Sequence, residues 1–147
     1  MALSTPERAT VERILRHRGE RLTRQREAVL AYLQSTDEHP DARSVYEQVS
    51  RELPQVSLGT IYRTLSVLRD AGLVQELKYG SVSRYDANIG GHDHAHCLEC
   101  GRVQDIDRRD APDLTAFAGD GFRVLSHRLE VYGICTACQA QGGASSR

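Results

Sequence analysis

The chain has 147 residues, of which 39% are hydrophobic and 27% are charged, and this composition indicates a folded soluble protein. With no Trp and only two Phe, its cores are predicted to be aliphatic and small, so a bound metal would help to stabilise them. No apolar run approaches the roughly 20 residues that cross a bilayer, and the N-terminus lacks the apolar core of a signal peptide. We therefore expect no membrane partner and a cytoplasmic location.

The net charge of −1 is unevenly distributed along the chain. Residues 1–84 carry 13 basic and 11 acidic side chains, a net charge of +2, whereas residues 85–147 carry 6 and 9, a net charge of −3. Seven arginines lie within the first 26 residues: Arg8, Arg13, Arg16, Arg18, Arg21, Arg24 and Arg26. Such a basic segment suits phosphate contacts, but it also suits a solvated helix face, and charge alone does not decide between them.

Three helices are predicted before residue 54. Thr5-Pro6 provides an N-cap and a first-turn proline for the first helix, and Gly19 ends it. Thr23 caps the second helix. Pro40-Asp41 opens the third, which ends before Pro54 because proline disfavours helical backbone at the residue that precedes it.

A fourth helix is predicted between the N-cap Ser57 and Gly72. Its apolar residues are spaced three and four apart and predict one buried face: Leu58, Ile61, Leu65 and Leu68. The other face carries Gly59, Thr60, Tyr62, Arg63 and Ser66. Residues 73–77 and 82–85 then flank a turn at residues 78–81 and predict a β-hairpin. Short helices followed by a hairpin indicate a winged helix.

The sequence changes character after residue 87. Strands are predicted around 93–98, 102–107 and 122–134, and Asp110-Ala111-Pro112 is predicted to begin a short helix that runs through Phe117. The predicted protein is α+β, with a winged-helix domain at 1–87, a linker at 88–91, a metal-binding domain at 92–140 and a disordered tail at 141–147.

The four cysteines form two Cys-x-x-Cys pairs, Cys97/Cys100 and Cys135/Cys138. A structural zinc site takes four ligands in a tetrahedron, and two such pairs supply four thiolates. One pair alone can be a redox dithiol, and cysteines can also be buried without a ligand. Two pairs with no further cysteine favour zinc.

Histidines and aspartates indicate a second, different metal site. His92 and His94 are two residues apart, so on a strand they project to the same face and can bind one ion. Asp86 and Asp105 lie on either side of them in sequence, and His39 lies in the helical half, where a single histidine is more often a surface residue. Nitrogen and oxygen ligands without thiolate suit Fe²⁺, Mn²⁺ or Zn²⁺, and carboxylates favour the first two.

Several motifs, taken in order, resemble the ferric uptake regulator (Fur) superfamily over nearly the whole chain. They are Leu22-Thr23-Arg24-Gln25-Arg26, His39-Pro40, Ser57-Leu58-Gly59-Thr60-Ile61-Tyr62-Arg63-Thr64-Leu65, Ser83-Arg84-Tyr85-Asp86, His92-Asp93-His94, Cys97-Leu98-Glu99-Cys100-Gly101, His127-Arg128-Leu129-Glu130-Val131-Tyr132-Gly133 and Cys135-Thr136-Ala137-Cys138. The resemblance implies an N-terminal winged-helix DNA-binding domain, a C-terminal α/β dimerisation domain, and a homodimeric repressor that binds palindromic operator DNA when a regulatory metal is bound.

The resemblance also implies roles for individual residues. The structural zinc ligands would be Cys97, Cys100, Cys135 and Cys138. The ligands of a regulatory Fe²⁺ or Mn²⁺ would be His39, Asp86, His92, His94 and Asp105. The DNA-contacting residues would be Arg24, Thr60, Tyr62 and Arg63. A regulator of this kind is not an enzyme and has no small organic substrate.

The aspartates at 86 and 105 indicate the branch of the superfamily, since the iron-uptake branch tends to have glutamates there. They resemble the peroxide-sensing branch, in which bound Fe²⁺ reacts with peroxide and a ligand histidine, here His39 or His92, is oxidised. A manganese- or iron-uptake regulator without peroxide sensing is the main alternative. A metalloenzyme that activates water and a redox switch through the zinc thiolates are further alternatives.

Three residues have no assigned role in this scheme. Asp93 and His127 resemble part of an extra site of the iron-uptake branch, but Gly91 and Pro112 stand where that site has other ligands, so we expect it to be incomplete. His96 shares the strand face of His92 and His94 but lies against the first cysteine pair.

Overall fold

The computed structural model describes residues 2–107, 109, 114–125 and 127–142. The chain divides into two compact units, Met1–Ile89 and Gly90–Arg147, which are treated separately below. The predicted helix start at Asp110-Ala111-Pro112 and residues 143–147 of the predicted tail lie outside the described residues. Within the described part of the chain, no helix is long and apolar enough to span a bilayer.

The first unit contains the four predicted helices, α1 (Thr5–His17), α2 (Arg24–Gln34), α3 (Ala42–Glu52) and α4 (Leu58–Asp70). Thr23 and Ser57 are N-caps, as predicted, and Asp41 of the predicted Pro40-Asp41 start caps α3. The side chain of each of the three accepts a hydrogen bond from the backbone N–H three residues further on.

The predicted cap of α1 is wrong by one residue. Ser4 is the N-cap, because Glu7 three residues later completes a capping box and accepts the backbone N–H of Ser4 at 3.0 Å. Thr5 is then the first helical residue and Pro6 the second. Gly19 follows the helix with a φ of +72°, a conformation that glycine adopts at little cost.

The core of the first unit lies between α2, α3 and α4. Ile61, Leu65 and Leu68 of α4 are fully buried, as the helical spacing predicts, against apolar residues of the neighbouring helices such as Val29 and Val45. Leu58, which was predicted to share this face, is only half-buried at the start of the helix. This packing fixes α4 along one side and leaves its other side exposed.

The predicted hairpin follows α4 as strands β1 (Gln75–Tyr79) and β2 (Val82–Asp86), which pair antiparallel; we call it the wing. Its turn is two residues long, since β1 continues through Tyr79, and Gly80 adopts a φ of +62°. Glu76 of β1 fastens the wing to α4, because its carboxylate accepts hydrogen bonds from Arg69 and from Ser83, both at 2.6 Å. Helices α2 to α4 and the wing form a winged helix.

The second unit contains a three-stranded sheet in the order β4-β3-β5. Strands β3 (Asp93–Cys97) and β4 (Val103–Ile106) are antiparallel, and β5 (Glu130–Gly133) runs parallel to β3. A 3₁₀ turn lies at Thr115–Ala118, and a short helix that was not predicted from the sequence, α5 (Thr136–Ala140), lies near the end of the described residues.

The predicted strand at 122–134 is mostly wrong. Among the described residues of that segment only 130–133 are strand, because β3 supplies backbone partners only from His94, opposite Glu130, to Cys97, opposite Gly133. Phe122 and Leu125 are apolar but exposed, so the apolar pattern that predicted a strand here does not correspond to burial against this sheet.

Candidate metal centres and nucleic-acid surface

The four cysteines converge in the second unit. Cys97 ends β3, Cys100 follows in the turn, and Cys135 and Cys138 lie at the start of α5. Their sulfur atoms all lie within 4.8 Å of one another, and the separations are 3.9 Å for Cys97–Cys138 and 3.8 Å for Cys100–Cys135. Four sulfurs at about 2.3 Å from a tetrahedral zinc are separated by about 3.8 Å. None of the cysteines is in a disulfide, so the donor set fits zinc.

The thiols differ in acidity because of their surroundings. Backbone N–H groups of Cys100 and Cys135 lower the pKa of Cys97 to about 6. Contact with the Cys135 thiol, together with burial, raises the pKa of Cys138 to about 12. Four adjacent sulfurs cannot all ionise without a cation among them, and a metal that binds all four displaces their protons.

In the first unit, one histidine and one carboxylate form a buried pair. His39 is 2% exposed and Asp86 6% exposed, and His39 Nε2 lies 3.5 Å from Asp86 Oδ2. His39 has a φ of +51°, in the left-handed region, which costs a non-glycine residue roughly 1–3 kcal/mol. A residue that is both buried and held in a strained backbone conformation is unusual in a surface loop. The expectation that His39, a lone histidine before proline, is a surface residue is therefore wrong.

In the second unit, two histidines and one carboxylate converge. Asp105 of β4 is directly opposite His94 of β3, and its Oδ1 lies 3.8 Å from His94 Nε2 and 3.2 Å from His92 Nε2. His92 Nδ1 lies 2.7 Å from the carbonyl oxygen of Gly90. Because a carbonyl only accepts, Nδ1 is the donor, and Nε2 is the ring nitrogen that faces Asp105.

These distances suit metal ligation. Ligand atoms that share one divalent ion, with bonds of about 2.1 Å, lie roughly 3 to 3.5 Å apart. Each unit thus carries part of the predicted regulatory donor set, His39 and Asp86 in the first, and His92, His94 and Asp105 in the second.

The three residues without an assigned role have carboxylate or histidine partners. The fully buried Asp93 accepts the backbone N–H of Leu129 at 2.9 Å, and its other oxygen lies 3.3 Å from His127 Nε2. His96 contacts the carboxylate of Glu130 on β5 and stacks on Tyr132. Glu130 was not singled out from the sequence, since its register opposite β3 becomes known only from the sheet. Pro112 lies outside the described residues.

The exposed side of α4 carries three of the four predicted DNA-contacting residues. Tyr62 is 53% exposed, Arg63 is exposed, and Thr60 is half-buried with its hydroxyl 2.9 Å from that of Ser57. Arg24 is exposed at the first position of α2. The exposed side of α4 thus combines a helix N-terminus with an aromatic ring and a guanidinium group, which suit phosphate oxygens and base edges.

A winged helix, a four-sulfur cluster and imidazole–carboxylate donors in both units define the class of metal-responsive winged-helix regulators. Residues 17–132 match the group described as the ferric uptake regulator family, which is most of the chain. The protein belongs to this family, and the resemblance noted in the sequence is confirmed.

Three individual regulators are similar to this chain. The peroxide-responsive repressor PerR of Staphylococcus aureus is 41% identical over 128 residues, which cover 85% of this chain and 86% of that protein. The structure of a zinc-bound manganese uptake regulator is 31% identical, with a TM-score of 0.66, over 86% of this chain and 98% of that one. The Helicobacter pylori ferric uptake regulator Fur, at 22% identity and a TM-score of 0.76, covers 100% of this chain and 99% of that one, and it supports the fold alone.

Proposed function

We propose that this protein is a homodimeric, metal-dependent transcriptional repressor of the cytoplasm that binds palindromic operator DNA and responds to peroxide. The observations that carry the proposal are an imidazole–carboxylate pair in the winged helix and an imidazole–carboxylate cluster in the sheet unit, in a chain 41% identical to a peroxide-responsive repressor. The relatives named above are regulators, and we assign no enzymatic activity.

In this proposal Cys97, Cys100, Cys135 and Cys138 hold a structural Zn²⁺. Sulfur separations close to a tetrahedral edge support it, as does the absence of disulfides among these cysteines. The zinc would join the end of β3 to the start of α5 and would stabilise a unit in which many described apolar side chains are exposed.

The regulatory Mn²⁺ or Fe²⁺ would be held by His39, Asp86, His92, His94 and Asp105. Binding of one ion by all five residues would favour the metal-bound conformation of the protein over others, and so would shift a conformational equilibrium. The donors are imidazoles and carboxylates, and this composition suits either metal.

DNA contact is assigned to α4 and its surroundings. In a winged helix of this topology, α4 enters the major groove, and a dimer presents two such helices about one DNA turn (~34 Å) apart. Arg63 is suited to a guanine edge or a phosphate, Tyr62 to a thymine methyl group, and Thr60 and Arg24 to the backbone.

A homodimer is supported by the described edge of the sheet in the second unit. β5 is an edge strand of that sheet, and the apolar side chains of Val131, Tyr132 and Ile134 along it are exposed. An edge strand with apolar side chains favours association with another chain.

DNA binding is tested with an operator selected from random duplexes at saturating Mn²⁺. We expect the wild-type protein to bind that duplex with Mn²⁺ and to lose at least a hundredfold in affinity when Mn²⁺ is withdrawn, while retaining one zinc per chain. Arg63→Ala should reduce operator binding roughly tenfold to a hundredfold at unchanged metal content. The control is Arg51→Ala, an exposed arginine near the end of α3 that donates to Gln48. Operator binding that ignores Mn²⁺ would contradict the proposal.

Peroxide responsiveness is tested by mass spectrometry. Bound Fe²⁺ would activate peroxide at the site; overall the histidine ring would give up two electrons to H₂O₂ and gain one of its oxygen atoms, and the other oxygen would leave as water. After Fe²⁺ loading and a brief exposure to peroxide, we expect one oxygen atom to be added to the peptide that contains His39 or His92, and none after Mn²⁺ loading. Unmodified histidines would favour a manganese- or iron-uptake regulator, which the likeness to a manganese uptake regulator also supports. Zinc release before any histidine gains oxygen would instead indicate sensing by the thiols.

A further inference from the structure

His39 is held at both of its ends by two residues of the same strand. Arg84 and Asp86 are two apart on β2, so their side chains project to the same face. Asp86 lies 3.5 Å from the His39 ring, and Arg84 Nη1 donates a hydrogen bond to the His39 carbonyl oxygen at 3.1 Å. The direction of the imidazole and the position of its backbone are therefore both set by the wing.

The segment that follows His39 pairs with β2 at one isolated bridge. The backbone N–H of Tyr85 donates to the carbonyl of Pro40 at 3.0 Å, and Asp41 forms an isolated antiparallel bridge with Arg84. Pro40 has no N–H, so it contributes only its carbonyl oxygen as a backbone hydrogen-bonding group. The neighbouring carbonyl of His39 accepts its hydrogen bond from the guanidinium of Arg84 instead of from a backbone N–H of β2.

The backbone of His39 requires such support. Its left-handed conformation is disfavoured for a residue with a side chain, and the following proline restricts it further. A hydrogen bond to its carbonyl from a charged, half-buried donor fixes the peptide plane after His39 and thereby the direction of the side chain.

We propose that Arg84 is a positioning residue of the regulatory metal site, and that it couples occupancy of that site to the wing. The inference rests on the proposed function, since it takes His39 and Asp86 as ligands. A bound ion would fix the ring of His39, and the hydrogen bond from Arg84 to the His39 carbonyl would link that residue to β2. The hydrogen bond between Glu76 of β1 and Arg69 would in turn link the wing to the end of α4. Because coupling is reciprocal, operator DNA that fixes the wing would also raise metal affinity.

The test uses full-length, zinc-loaded protein and the variant Arg84→Met, which keeps the apolar stem and removes the donors. Mn²⁺ affinity is measured by competition with a fluorescent chelator, with and without operator duplex. We expect Arg84→Met to weaken Mn²⁺ binding roughly tenfold and to reduce the gain in affinity that the duplex gives the wild type. At saturating Mn²⁺ its operator affinity should stay below that of the wild type by the same factor by which this gain is reduced, because the coupling is reciprocal. Arg84→Lys, which keeps a cationic donor, should restore most of the Mn²⁺ affinity.

Arg69→Met is the matched control, because it removes an arginine that also fastens the wing, but through Glu76 and away from His39. Its Mn²⁺ affinity without DNA should equal that of the wild type. The ligand-field spectrum of Co²⁺ at the regulatory site should change in Arg84→Met and not in Arg69→Met. If Arg84→Met does not fold, Arg84→Gln takes its place, with a loss of roughly threefold expected.

Two results would overturn the inference. Unchanged Mn²⁺ affinity with operator binding that stays weak at saturating Mn²⁺ would make Arg84 a phosphate contact. An equal loss of Mn²⁺ affinity in Arg69→Met would make the effect one of general wing stability. Failure of the proposed function itself looks different, because wild-type operator binding would then not depend on Mn²⁺.

Discussion

At the scale of single residues, His39 shows how a side chain becomes buried for reasons that its local sequence does not reveal. The sequence offers a histidine before a proline, which is typical of a surface loop. Its burial arises from distant residues, since Asp86 faces its ring and Arg84 holds its carbonyl. Local sequence patterns identified the residue types that bind metals. They could not predict the contacts of His39 with Arg84 and Asp86, which are more than forty positions away in sequence.

The pairing of His39 with Asp86 gives a prediction for a single charge. Asp86→Asn keeps the shape of the side chain but removes its negative charge, so a cation should bind the site at least tenfold more weakly. Chelator competition measures this loss, and zinc content should remain at one per chain. Asp70→Asn is the control, because Asp70 lies at the end of α4 and contacts Arg69. Equal Mn²⁺ affinities in the wild type and Asp86→Asn would remove Asp86 from the ligand set.

At the scale of secondary-structure elements, the helices were the most predictable part of the chain. Their signals are local, since caps act over three residues and the buried face of α4 repeats every three to four residues. The extent of β5 was not predictable, because strand length depends on a partner strand more than thirty residues away. Helix α5 is only five residues long, which is too short to show a helical pattern.

The attachment of the wing to α4 gives a prediction about pH. A hydrogen bond from Ser83, followed by one from Arg69, holds the pKa of Glu76 below its ordinary value despite burial. A lowered carboxyl pKa means that the ionised form stabilises the fold above about pH 4.3, and that this contribution is lost as the pH falls through the lower folded-state value. Glu76→Gln should therefore lower the free energy of unfolding by about 1 kcal/mol at pH 7, and the difference should shrink below about pH 4.3.

Urea unfolding, followed by helical circular dichroism between pH 3.5 and 7, measures this difference. Both proteins lose zinc alike at the acid end of the range, so the difference between them reports on Glu76. Glu47→Gln, at an exposed position of α3, should match the wild type throughout. A difference that stayed constant down to pH 3.5 would show that the charge of Glu76 is not responsible.

At the scale of the whole molecule, the two units differ in how they are stabilised. The first has a continuous apolar core, whereas the described part of the second exposes many apolar side chains and contains the cysteine cluster. The cysteine spacing was sufficient to predict this cluster, because the chemistry of zinc thiolates restricts the alternatives. The sulfur separations could not be known until the strands and α5 were in place.

Loss of one thiolate should therefore affect the units unequally. In Cys100→Ser we expect zinc to fall well below one per chain and the second unit to unfold, since structural zinc contributes on the order of 10 kcal/mol to a small domain. The helical signal of the first unit should remain. Metal analysis and limited proteolysis measure these effects, and Glu99→Gln, beside the same turn, is the control. Full zinc content in Cys100→Ser would exclude Cys100 as a ligand.

The five-residue strand β3 contains both His94 and Cys97. A strand this short has no independent stability, so in the proposed site His94 would reach its ligating position only after the sulfur cluster has closed. This arrangement implies an order of assembly in which a newly synthesised chain acquires zinc first and becomes competent to detect a second metal afterwards. In a cell starved of zinc, newly made repressor would therefore fail to bind manganese or iron at the proposed regulatory site. Its target genes would then be expressed whatever the supply of those metals.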